Sequence, residues 1–76
     1  MTNWRAAYNG LVRAGFTDQQ IADMAGCTRS VINGVRNGTY NHHHEPSHSG
    51  GVRILDAITT ALREGWLDED PLKETA

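Results

Sequence analysis

Apolar residues recur at helical intervals through most of this chain. Trp4, Ala7, Tyr8, Leu11 and Val12 fall at i, i+3, i+4, i+7 and i+8, the spacing of a helix that buries one face. Thr2 or Asn3 can cap that helix, and Gly15 ends it. Ile54, Leu55, Ile58, Ala61 and Leu62 carry a core face of the same kind. They predict a closing helix over about 52–64, entered from Gly51 and stopped by Gly65. Between these lie Ile21, Ala22, Gly26, Ile32 and Val35, inside Thr17–Gly38, where two shorter helices fit. The expected fold is all-α, with four to five helices.

The middle stretch has the clearest boundaries. Thr17 followed three residues later by Gln20 is a capping box, and Phe16 with Ile21 can form a hydrophobic staple. A helix from about Asp18 to Ala25 should therefore start sharply and end at Gly26, where a left-handed residue is needed. Only Cys27 then precedes Thr28, a second N-cap. The following helix runs from about Arg29 to Arg36 or Asn37. Ala22 is small where two helices meeting at a steep angle must come close. A rival reading makes Asn33-Gly34 a hairpin turn, but its flanking apolar runs are short and both caps would be wasted.

On the second of these helices, about 100° per residue puts Val31, Ile32 and Val35 on one arc. Arg29, Ser30, Asn33, Gly34 and Asn37 occupy the other, with no acid among them. Arginine can take guanine N7 and O6 in a bidentate contact, and asparagine can take adenine N6 and N7. Gly34 costs about 1 kcal/mol against alanine in a helix. Either a close approach to DNA or an incidental surface glycine accounts for it.

Charge changes the picture only once it is divided. The 76-residue chain has a net charge of −2, which does not favour a polyanionic partner. Residues 1–53, however, carry five arginines against three acids, and residues 54–76 two cations against six acids. The basic part holds the two central helices; the acidic part ends in DEDPLKETA, expected to be a flexible tail over 68–76. The chain suits one domain, spanning 1–67. No apolar run reaches membrane length, nothing at the start resembles a signal peptide, and the single Cys27 suits a reducing compartment. A cytoplasmic location is expected.

Gly38–Gly51 is a long connection containing His42, His43, His44 and His48. Pro46 works against a helix that would align His44 with His48, and zinc for structural work wants a closed set of four ligands. No metal or other cofactor is expected. Neither a nucleophile–base pair nor a phosphate-binding glycine loop appears, so the chain is not expected to be an enzyme.

The spacing of Ile21, Ala22, Gly26, Ile32 and Val35, with Gly-Cys-Thr-Arg-Ser at the turn, resembles the helix-turn-helix of the lambda-repressor/Cro-like (XRE) family of DNA-binding proteins. The likeness covers about Leu11 to Leu67 and extends to small phage-type regulators. It implies sequence-specific binding of double-stranded DNA by a small transcriptional regulator, with helix 29–37 in the major groove. Matched to family positions, Thr28, Arg29, Ser30, Asn33 and Asn37 meet base edges or nearby phosphates. Gln19 stands at the start of the first motif helix, where relatives contact phosphate; Thr17, Gly34 and Arg36 complete the expected DNA-contacting set. Asp18 departs from the pattern, since relatives often place a phosphate-binding glutamine there and an acid would repel phosphate. A homodimer on a pseudo-palindromic operator is expected, joined through Trp66, Leu67 and Leu72, with no membrane or small-molecule partner. Two alternatives keep the same fold: a protein-interaction module of antitoxin or anti-activator type, and a phage packaging or excision factor.

Overall fold

The computed structural model describes residues 2–40 and 45–75, so His42, His43 and His44 lie outside the described residues. Four α-helices follow one another: α1 (Trp4–Arg13), α2 (Asp18–Ala25), α3 (Arg29–Asn37) and α4 (His48–Arg63), with a closing 3-10 turn at Pro71–Thr75. The described residues contain no strand, and 29–37 is helical, which removes the hairpin reading.

Side-chain caps set the helix starts. The Asn3 side chain accepts from the Ala6 N–H at 3.1 Å and opens α1. At α2 the capping box is reciprocal: the Gln20 N–H donates to Thr17 Oγ1 at 3.1 Å, and the Thr17 N–H to Gln20 Oε1 at 2.9 Å. Thr28 Oγ1 accepts from the Val31 N–H and opens α3. Gly26 and Gly38 close α2 and α3 at φ 76° and 89°, a region glycine enters without a Cβ penalty.

α4 begins earlier than its apolar pattern suggests. Ser47 Oγ accepts from the Gly50 N–H at 3.1 Å, so Pro46 stays outside the helix and His48 falls in its first turn. Gly50 belongs there for a packing reason: a Cβ on it would run into the Ala25 carbonyl. α4 thus crosses the end of α2 at backbone contact.

Two arginines take up carbonyls that helix ends leave without partners. Arg5 Nε, from α1, donates to the Val35 carbonyl at 2.9 Å and Nη2 to that of Tyr40 at 3.3 Å. Arg53 Nε, from α4, donates to the Met24 carbonyl at 2.8 Å. Arg5 therefore ties α1 to the end of α3.

The core joins Tyr8 and Leu11 from α1, Ile21 from α2, Ile32 and Val35 from α3, and Ile54 and Ile58 from α4. Leu55, expected among them, is exposed beside Val52. The tail expected over 68–76 does not lie wholly outside the core. Pro71 is fully buried, in a slot left open by Gly10, where a Cβ would collide with the proline ring. Asp70 Oδ1 accepts from the Leu72 N–H at 3.0 Å.

Candidate nucleic-acid interface

α3 is buried along one side and exposed along the other. Ile32 and Val35 are inaccessible to solvent, whereas Arg29, Ser30, Asn33 and Asn37 are exposed. The exposed side opens into a shallow concavity of about 400 Å³ that also involves Asp18, Thr39 and Tyr40. Four of the sequence-predicted residues thus share one surface, and Thr28 stands exposed at its N-terminal end. Arg29 makes no hydrogen bond or ion pair among the described residues, leaving its guanidinium available.

Arg36 is used differently. Its Nη1 pairs with Asp18 Oδ1 at 2.7 Å, and its Nε donates to Asn9 Oδ1 at 2.8 Å. Both carboxylate and guanidinium are largely covered, with 18% and 26% of their side-chain surface exposed. Arg36 is therefore a strut joining α3 to α1 and α2. Asp18, on sequence alone a repulsive charge, is neutralised by it.

Gly34 also changes meaning. It is buried, and a Cβ there would overlap the Tyr40 ring; the Tyr40 N–H donates to the Gly34 carbonyl at 3.0 Å. The missing side chain makes room for an intramolecular ring, so neither close approach to DNA nor an incidental surface glycine is needed to explain it. Tyr40 remains 42% exposed and puts an apolar surface at the edge of the polar concavity. Nothing in the sequence links Tyr40 to Gly34, six positions earlier.

The asparagines of α3 are connected. Asn33 Nδ2 donates to Asp18 Oδ2 at 3.5 Å, and Asn37 Nδ2 to Asn33 Oδ1 at 3.0 Å. Asn37 Oδ1 in turn accepts from the Thr39 backbone N–H at 3.1 Å and hydroxyl at 2.7 Å. At the start of α2, Gln19 is exposed and donates to Asp23 Oδ1 at 2.9 Å, while Thr17 is occupied by its capping role.

Behind the site, Cys27 sits half-buried in the turn between α2 and α3. Burial pushes its thiol pKa up, so it is held protonated and is a poor nucleophile. Among the described residues no three His, Cys, Asp or Glu side chains gather as a metal site would require. No helix among the described residues is long and apolar enough to cross a membrane.

Compared with protein-family models, curated proteins and solved structures, the chain matches none.

Proposed function

We propose that this chain binds double-stranded DNA in a sequence-specific manner, as a small Cro/repressor-like transcriptional regulator that lays α3 in the major groove. One observation carries the reading. α3 exposes Arg29, Ser30, Asn33 and Asn37 on a single face, and the one acid at that face, Asp18, is paired with Arg36. Such a face offers base-edge donors and acceptors without a free negative charge. Thr28 and Ser30 add hydroxyls near the N-terminus of α3, where a helix favours phosphate.

Few cations remain for the backbone of DNA, because Arg5, Arg36 and Arg53 are held by the protein itself. Affinity rises with the number of phosphates neutralised, so a single subunit should bind weakly, and the reading includes a homodimer on a pseudo-palindromic site. Trp66, half exposed and packed on Phe16 with ring centroids 6.3 Å apart, suits that contact. Leu67 is buried and Leu72 half-buried, so neither offers a free apolar surface.

Random-sequence selection followed by gel shift tests this. A recovered motif of two half-sites about 10 base pairs apart supports it, and recovery of no motif at low salt overturns it. Val52 and Leu55 are exposed and line no part of the α3 concavity. They favour a second reading, a protein-interaction module, and failure of the selection would turn attention there.

A further inference from the structure

We infer that Asp18 is a specificity-determining positioning residue, which fixes the direction in which the Asn33 amide faces a base. The inference rests on the DNA-binding reading above. An asymmetry of chemistry underlies it. An ionised carboxylate only accepts hydrogen bonds, whereas an amide has one end that donates and one that accepts. Asp18 Oδ2 lies 3.5 Å from the Asn33 side chain, a long contact that favours its nitrogen over its oxygen. The Asn33 oxygen then points the other way and is met by Asn37 Nδ2 at 3.0 Å. That turns the Asn37 oxygen toward Thr39, whose backbone N–H and hydroxyl both supply hydrogens.

Every donor in this ladder points toward Asp18, and both ends enforce the same direction. The carboxylate itself cannot swing away freely, because its other oxygen is held by Arg36 at 2.7 Å. Asn33 uses one of its two N–H groups and one of its two oxygen lone pairs inside the ladder. One donor and one acceptor remain, in a fixed order along the exposed face. Adenine presents an acceptor, N7, next to a donor, N6–H, in the major groove. The ordered amide is complementary to that edge; a freely rotating amide would offer the reverse order as readily. Asp18 thus selects the base without touching it, at a place where its charge alone would only repel DNA.

Asp18→Asn tests this with little change of shape. The amide that replaces the carboxylate can still accept from Arg36 through its oxygen, but its nitrogen offers Asn33 a donor and permits the Asn33 amide to turn. The base position read by Asn33 is first located as the one relaxed by Asn33→Ala in the selection. Wild type should prefer adenine there about five- to 150-fold, the span of one bidentate contact. Asp18→Asn should lower that preference at least about twofold, because the Asn33 amide is then pulled both ways, with other positions retained. Asp18→Asn combined with Asn37→Ala, in which the new amide alone directs Asn33, should bring the preference within about twofold of the Asn33→Ala level. In the free protein, the side-chain NH2 resonances of Asn33 and Asn37 should move together in Asp18→Asn.

Full adenine preference in Asp18→Asn overturns the inference while the DNA-binding reading stands. So does an even loss of preference at all positions, which marks a structural role, or an unmoved pair of amide resonances. If wild type selects no motif, the DNA-binding reading fails and this inference with it.

Discussion

The Tyr40 ring lies against Gly34 so closely that the space a Cβ would need is already filled. The contact folds the chain leaving α3 back onto the helix, where the Tyr40 N–H reaches the Gly34 carbonyl at 3.0 Å and Arg5 holds the Tyr40 carbonyl. It also sets opposing effects against each other in Gly34→Ala. Helix propensity alone favours alanine by about 1 kcal/mol, while overpacking costs about 1–3 kcal/mol. The Tyr40 backbone that carries the ring is held by both of these hydrogen bonds, so overpacking should win. Urea unfolding should show a net loss of stability, and an increase would mean that the ring moves aside freely.

Arg29 and Arg36 sit in one helix and should separate cleanly on substitution. Arg36→Ala removes an ion pair and a bond to Asn9 that tie three helices, and should cost about 1–3 kcal/mol in unfolding free energy. Arg29→Ala, at an exposed position without a partner among the described residues, should leave the melting temperature nearly unchanged. Its loss should appear in DNA binding, about 1–3 kcal/mol at one base position. Equal melting shifts for the two variants would contradict this division.

Removing residues 71–76 should destabilise the domain, although the segment is acidic and short. Pro71 fills the slot above Gly10, and Leu72 packs partly on the core. Burial of that size is worth about 2–3 kcal/mol. A truncated chain with an unchanged unfolding midpoint would show that this end contributes nothing.

Two groups give a direction for alkaline pH. Burial raises the pKa of the Tyr8 phenol, with a smaller contribution from neighbouring Cys27, and burial raises that of the Cys27 thiol. Ordinary values in an unfolded chain are about 8.5 for a thiol and about 10 for a phenol. Above pH ~8.5 the unfolded chain therefore releases protons that the folded one keeps. The stability these groups give is complete below that pH and is lost as pH rises through their folded values. The urea midpoint should be level near neutrality and fall from about pH 9 upward. A midpoint unchanged to pH ~10.5 would contradict the burial of both groups.

The helix framework was legible because its signals are local. Thr17 with Gln20, Thr28 and Gly26 act within one turn of chain, and the structure uses each as its residue type predicts. Contacts between distant positions were not legible. Gly10 and Pro71, or Gly34 and Tyr40, make sense only after folding brings them together. Pattern misjudged the start of α4 because Gly50 and Gly51 interrupt the apolar rhythm, while Ser47 caps three residues earlier. On the candidate face, the polar arc of α3 could be drawn from sequence. The withdrawal of Arg36 to Asp18 could not, because an arginine reads the same in sequence whether it faces solvent or a partner.

The central claim is that the exposed face of α3 meets base edges. Titrating isotope-labelled protein with a duplex from the selection, and following amide and side-chain chemical shifts, tests it most directly. Saturable shifts centred on Thr28, Arg29, Ser30, Asn33 and Asn37 are expected, which a scrambled duplex fails to reproduce. Shifts centred instead on Val52 and Leu55, or identical responses to both duplexes, would contradict it.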